Sequence, residues 1–159
     1  MNSEQLLSAS ATAADLYEED FYAWTQEQAK LLQAGMWSAL DIANLVEEIE
    51  SLGKQVRQEL RNRLEVLLGH LLKWQLQPSY RSKSWTATVR EQRRKILLLL
   101  KENSSLKPYL PEAVTIAYEN AIDLAIRETG LDESSFSIEC PYTLDQILDQ
   151  GFLPGESSK

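Results

Sequence analysis

The sequence predicts an all-α fold: an elongated four-helix bundle-like domain with a long second helix as its spine and a short C-terminal helix. Three observations predict it. Glycine and proline are scarce, with 6 and 5 in 159 residues, which favours helix. Apolar residues recur at steps of three and four over most of the chain. The one alternating run, 136–140, is too short to build a sheet.

The first helix is predicted to begin near Asp15 and to end at Gly35. Acidic residues 18–20 fall in its first turns, where the helix dipole favours negative charge. One apolar face follows at helical spacing: Tyr17, Phe21, Trp24, Gln28, Leu31 and Leu32. The preceding residues are small and polar, so residues 1–14 are predicted to form a flexible extension and 15–155 a single helical domain.

The second helix is predicted to begin after Asp41, a good N-cap residue, and to end at Pro78. A helix of about 35 residues is about 52 Å long. Gly53 is its one candidate kink point. A sustained apolar stripe defines its inner face: Ile42, Leu45, Ile49, Leu52, Val56, Leu60, Leu64, Leu67, Leu71 and Trp74.

Three further helices follow turns. Ser84 is predicted to cap the third helix, and Pro108 or Pro111 to open the fourth, with Gly130 at its end. Thr143 is predicted to cap the short C-terminal helix.

The helix lengths predict an elongated molecule. Helices one, three and four, at about 30 Å each, cannot cover a 52 Å spine. Helix one is expected on the first half of the spine, and helices three and four on the second half. This arrangement leaves apolar edges that a second subunit could cover, so a homodimer is one expected outcome.

The formal net charge of −8 is unevenly distributed. Residues 1–52 carry −9, residues 53–107 carry +9 and residues 108–159 carry −8. One interpretation is that acidic helices neutralise basic ones. The alternative is a nucleic-acid-binding surface in the basic segment 54–101, using Arg90, Arg93 and Arg94. Overall acidity opposes the attraction of a polyanion, which favours the first interpretation.

The chain is predicted to be cytoplasmic. Cys140 is the single cysteine, so an intrachain disulfide is excluded. The N-terminus lacks the features of a signal peptide, and no apolar stretch approaches the roughly 20 residues of a membrane span, so no membrane association is expected.

A candidate binding cluster lies where the second and third helices are expected to form a hairpin. Indoles could stack on a nucleotide, cations could bind phosphate, and an imidazole could transfer protons. The competing interpretation is a hairpin core in which the indoles fill volume. The cluster comprises His70, Lys73, Trp74, Gln77, Arg81, Trp85, Thr88 and Arg90.

A candidate acidic cluster lies near the start of the spine, at Glu47, Glu48 and Glu50. The pair Glu-x-x-His, which places two metal ligands on one helical face, is missing, and His70 is the single histidine. A magnesium-type site needs only carboxylates and waters, and Glu47 with Glu50 could contribute to one. The competing interpretation, which is favoured, is a solvated acidic face near the start of a helix. No metal site and no cofactor are predicted.

Long, unusual blocks of residues resemble one family. They include ALDIANLVEEIESLG, LLGHLLKWQLQP, RSKSWTATVREQRRKI and CPYTLDQILDQGFLP. The chain is similar to family twenty-nine of the domains of unknown function, a bacterial and mostly cyanobacterial group, over nearly everything after residue 15. The family more often has Trp where Tyr142 and Leu153 stand. The resemblance implies an all-helical domain and no known activity.

Together these observations favour a helical binding or adaptor protein that acts through protein–protein interaction, with itself as one candidate partner. Two alternatives stay open. One is a nucleic-acid-associated protein using segment 54–101. The other is a hydrolase-type enzyme with a site around His70 and Arg90, which is favoured less than a non-enzyme because no known catalytic signature is complete.

Overall fold

A computed structural model describes residues 13 and 15–156. Its α-helices are α1 (Phe21–Gln33), α2 (Ile42–Leu76), α3 (Lys83–Glu102), α4 (Leu110–Thr129) and α5 (Leu144–Leu148), preceded by a helical stretch at residues 15–19. The described residues include no strand. The predicted all-α, bundle-like fold is therefore confirmed. The chain divides into two compact units, Met1–Lys54 and Gln55–Lys159. The flexible extension predicted over 1–14 lies, apart from Ala13, outside the described residues.

The first unit corrects the prediction of one helix from Asp15 to Gly35. The helix is interrupted at Asp20, whose backbone is non-helical and whose carboxylate accepts a hydrogen bond from the Ala23 N–H at 3.0 Å. Asp20 was expected to lie within the first turns of a single helix. It is instead the N-cap of α1, because its side chain accepts from an N–H group at the start of that helix. Gly35 has a left-handed backbone (φ +69°) just after α1, as a C-terminal stop requires.

Helix α2 is continuous for 35 residues through Gly53, which confirms its predicted length and its end before Pro78. The Asp41 carbonyl accepts the first helical hydrogen bond, from the Leu45 N–H at 3.0 Å. The Asp41 carboxylate accepts hydrogen bonds from the Trp24 indole (3.0 Å) and the Asn44 amide (2.7 Å), so it ties the start of α2 to α1.

The second unit holds the main hydrophobic core. Buried side chains come from the second half of α2, from α3 and from α4: Leu60, Leu64, Leu67, Leu68, Leu71, Leu72, Val89, Ile96, Leu100, Ala113, Ala117, Ala121 and Ala125. Helices α2 and α4 approach closely at Gly69, where a Cβ would lie 2.6 Å from the Leu124 Cδ2. The predicted placement of the third and fourth helices on the second half of the spine agrees with this core.

The helices of the second unit begin and end at the predicted capping residues, with one correction at the start of α3. Ser82, and not Ser84, caps α3, because the Ser82 hydroxyl lies 3.3 Å from the Trp85 N–H that donates to it. Gly130 ends α4 with φ +71°, as predicted. Thr143 caps α5 in a capping box with Gln146, also as predicted. None of the helices among the described residues is long and apolar enough to cross a membrane.

Candidate functional site

His70 lies on the second half of α2 and is half-buried. Its Nδ1 is 2.8 Å from the Val66 carbonyl, one helical turn earlier, so the ring donates its proton from Nδ1 to that oxygen. Burial lowers the pKa of His70, which keeps the imidazole neutral at neutral pH. Its Nε2 is therefore left as a hydrogen-bond acceptor.

Lys73 is almost fully buried and is paired within its own unit. Its Nζ contacts a Glu128 carboxylate oxygen at 2.5 Å and lies 4.4 Å from the centre of the Trp85 ring. The structure thus joins α2, α3 and α4 through one ammonium group. Since that charge already has a carboxylate and an aromatic face, it holds helices together and offers little to a phosphate ligand.

Trp74 and Arg81 form a second pair across the turn that follows α2. The Arg81 Nε donates to the Trp74 carbonyl at 2.9 Å, and its guanidinium carbon lies 4.8 Å from the centre of the Trp74 ring. The Trp74 indole N–H is buried and finds no acceptor among the described residues. Each indole of the predicted cluster is thus faced by a cation.

The other predicted members of the cluster make local contacts. The half-buried Gln77 donates its backbone N–H to the Lys73 carbonyl at 2.9 Å. The Thr88 hydroxyl donates to the Ser84 carbonyl at 3.1 Å, one turn earlier in α3. Arg90 is exposed. The structure therefore brings together Lys73 with Trp85 and Trp74 with Arg81, while Thr88 and Arg90 lie outside these pairs. A ligand-binding role for the cluster stays a prediction.

The three residues of the acidic cluster have different surroundings, since one of them is hydrogen-bonded and two are exposed. Glu48 accepts a hydrogen bond from the Tyr17 hydroxyl at 2.6 Å, and this bond raises the pKa of Tyr17 to about 12. Glu47 and Glu50 are exposed on α2. Among residues 13 and 15–156, no three His, Cys, Asp or Glu side chains are grouped so as to hold a metal ion.

Much of the basic segment is engaged with neighbouring groups. Arg61 donates to the Tyr109 hydroxyl at 2.5 Å, and Arg57 lies over the same ring. The pairs Arg63–Glu59 (2.7 Å) and Lys95–Glu91 (2.6 Å) are each one helical turn apart. Exposed cations are left mainly on α3 and at its ends: Lys83, Arg90, Arg94, Lys101 and Lys107.

Arg93 corrects the prediction of an exposed arginine band, since it is only 1% exposed. Its guanidinium donates to three backbone carbonyls, those of Ile147 (2.8 Å), Phe152 (2.8 Å) and Gln146 (3.1 Å). Two of these carbonyls belong to the last turn of α5, which has no helical partners for them. The burial of Arg93 could have been predicted from its spacing in the sequence, because Arg93 shares a helical face with the apolar Val89, Ile96 and Leu100.

The first unit carries an exposed apolar stripe on α2, which we define as Ile42, Val46, Ile49 and Leu52. Their exposed fractions are 58%, 49%, 66% and 61%. The apolar stripe predicted from the sequence contains Ile42, Ile49 and Leu52 together with the buried Leu60 and Leu64, and Val46 lies beside it. The exposure of these earlier residues shows that the later part of the predicted stripe is the better covered. Exposed apolar side chains that follow one another along one helix face are a mark of interaction sites.

A groove of about 840 Å³ lies in the same unit and reaches the stripe at Ile42. It is lined mainly by small and apolar side chains, among them Leu16, Ala23, Leu31 and Leu40. Gln28 also lines it and is 2% exposed; its Oε1 accepts from the Asp41 N–H at 2.8 Å, while its Nε2 finds no acceptor among the described residues.

These features define an all-α protein whose polar clusters are largely engaged within the chain and whose first unit has an exposed apolar face. The family model called Domain of unknown function DUF29 matches residues 16–153. The chain therefore belongs to this family, which confirms the resemblance seen in its sequence. Neither a curated protein nor a solved structure matches the chain significantly.

Proposed function

We propose that this protein is a helical protein-binding module that engages its partner through the exposed apolar stripe of α2. The distribution of exposed apolar side chains carries the proposal. Among the described residues, nine of the 14 exposed large hydrophobic side chains lie between Phe21 and Leu52, although the second unit has more than twice as many described residues as the first. Contiguous apolar surface of this kind is typical of protein interaction sites.

The stripe is also large enough in energetic terms. Full burial of an aliphatic side chain contributes about 1.5–3 kcal/mol. With about half or more of each of its four side chains in water, covering the stripe would contribute roughly 4–7 kcal/mol. That contribution is comparable with the lower estimates of the free-energy cost of association, so the stripe is a credible centre of an interface.

The two alternative functions have less support. A nucleic-acid surface would depend on the exposed cations of and near α3, because Arg57, Arg61, Arg63, Lys95 and Arg93 all contact other groups of the chain. An enzyme centred on His70 would need a free reacting group beside it, and the two charged groups near its imidazole, Lys73 and Glu128, are paired with each other. Neither alternative accounts for the apolar stripe.

A reducing compartment such as the cytoplasm suits this proposal. Cys140 is half-buried, and its thiol lies 3.7 Å from the Tyr142 carbonyl. Burial raises the pKa of the Cys140 thiol, which keeps it protonated and weakly reactive.

Site-specific photocrosslinking in living cells tests the proposal. A photoreactive benzoylphenylalanine replaces Ile49 in the stripe or, as a matched control, Ile138, which is 97% exposed in the second unit. We expect irradiation to give a discrete protein adduct from position 49 and none of comparable yield from position 138. No adduct at position 49, or equal diffuse adducts at both positions, would overturn the proposal.

A further inference from the structure

The residue types along α2 repeat in a specific order over Ile42–Leu52, where three residues of the exposed apolar stripe, Ile42, Ile49 and Leu52, share a repeat with Leu45 and the fourth, Val46, lies beside it. Ile42, Leu45, Ile49 and Leu52 alternate a β-branched side chain with leucine at steps of three and four. These are the a and d positions of a heptad repeat, and isoleucine at a with leucine at d is the pattern that favours parallel two-stranded pairing. Of these four positions Ile42, Ile49 and Leu52 are exposed and Leu45 is half-buried, whereas the next a position, Val56, packs against the core of the second unit.

We propose that the occupant of the stripe is a second copy of this chain, packed parallel and in register along Ile42–Leu52. This inference rests on the proposed function, because it names the partner of the same surface. Two heptads are too short for an isolated coiled coil. Here, however, the stripe belongs to a continuous helix of 35 residues that is anchored by the second unit, so α2 need not fold when it associates.

The charges beside the stripe favour a second copy over a basic partner helix. The e positions that flank the seam are Val46 and Gly53, which carry no charge. Glu47 and Glu50 occupy the outer f and b positions, away from the seam. The two flanking acids at g are already bonded, Asp41 to the Trp24 indole and the Asn44 amide, and Glu48 to the Tyr17 hydroxyl. A basic partner would therefore find few carboxylates to pair with at the edges of the contact.

The same flanking residues favour the parallel direction. In a parallel pair, each g position faces an e position of the other copy, so Glu48 would face Gly53. In an antiparallel pair, g faces g, which would bring the two Glu48 side chains together. A Cβ placed on Gly53 would meet nothing within 4 Å, so the second helix has space to approach at this point. A symmetric pair also buries the apolar stripe twice, once on each copy.

Sedimentation velocity of the purified full chain tests the partner, over roughly two decades of concentration around 10 µM. We expect the wild type to become dimeric as concentration rises. Ile49→Lys places two ammonium groups in the seam and should keep the protein monomeric. Ala43→Lys adds the same charge at an exposed b position and should dimerise like the wild type. Circular dichroism checks that both variants keep their helix content.

Disulfide trapping tests the direction in a Cys140→Ser background. Leu52→Cys should form a disulfide-linked dimer readily, because d positions face each other in a parallel pair. Preferential disulfide formation between Leu52→Cys and Ile42→Cys chains would indicate antiparallel packing, in which a positions face d positions, and would overturn the proposed direction.

The two proposals fail in different ways. A wild type that stays monomeric throughout, with a position-49 photoadduct whose mass is not twice that of one chain, would overturn the second copy as partner and leave the binding module intact. A monomer with no adduct at position 49 would overturn both. A position-49 adduct of twice the chain mass, together with concentration-dependent dimers lost in Ile49→Lys, supports both.

Discussion

Replacing Arg93 with methionine tests the central polar contact of the second unit. Methionine keeps a long, unbranched side chain but has no donor for the three carbonyls that Arg93 contacts. We expect the segment that contains α5 to lose its attachment to α3, with a loss of about 2–4 kcal/mol in the free energy of unfolding.

The magnitude follows from two opposing contributions. Three hydrogen bonds from a charged donor, at about 1.5–3 kcal/mol each, would stabilise the fold by roughly 5–9 kcal/mol. Against this stands the cost of removing the guanidinium from water, several kcal/mol, which methionine avoids. Burial also lowers the pKa of Arg93, in agreement with that cost. The difference is the expected loss.

Two measurements make the test specific. Urea unfolding gives the stability, and residue-resolved hydrogen exchange follows the amides of Ile147 and Asp149, which donate within α5 to the carbonyls of Thr143 and Asp145. Arg94→Met, at the exposed neighbouring position, is the matched control. If Arg93→Met is as stable as this control and the α5 amides are equally protected, the three bonds do not hold the segment and the reasoning is refuted.

Two further predictions concern charged groups in the second unit. Glu128→Gln should lower the free energy of unfolding in urea by about 1–2 kcal/mol, because it leaves the buried Lys73 without its carboxylate. The control is Glu59→Gln, at the same 45% side-chain exposure but paired with the more exposed Arg63, and it should lower that free energy by less than about 0.5 kcal/mol. Equal losses in the two variants would contradict the argument. His70→Gln should reduce the loss of stability on acidification. Because burial holds the folded-state pKa of His70 below its usual 6.5, the unfolded chain binds the proton first and stability falls as the pH drops below about 6.5 towards the folded-state pKa. Urea midpoints between about pH 8 and pH 5 measure this slope, and an unchanged slope in the variant would contradict it.

Periodicity and capping residues predicted most of the fold. The spine from Ile42 to Leu76, the end of α4 at Gly130 and the start of α5 after Thr143 depend on interactions within a few residues, so the sequence records them directly. The interruption at Asp20 and the cap at Ser82 were not predicted. At the start of α3, Ser82 and Ser84 offer the same capping hydroxyl two residues apart, and residue propensity alone does not choose between them.

The polar sites were harder to predict, because their partners are distant in sequence. Nothing local to Lys73 indicates Glu128, which lies 55 residues away. Likewise, the acceptors of Arg93 lie in the C-terminal segment, whose docking no helical periodicity predicts. The exposed part of the apolar face of α2 was also beyond prediction, for a different reason. Periodicity identifies which face of α2 is apolar, but it does not tell which part of that face is covered by the same chain.

The contact between Arg93 and the C-terminal segment also sets an order of events during synthesis. The three acceptor carbonyls lie 53 to 59 residues after Arg93. At about 5–20 residues per second, the ribosome adds them roughly 3–12 seconds later. Throughout that interval the guanidinium must stay hydrated, so the part of the core around it cannot close while the earlier helices assemble. Completion of this unit therefore waits for translation of residues 146–152.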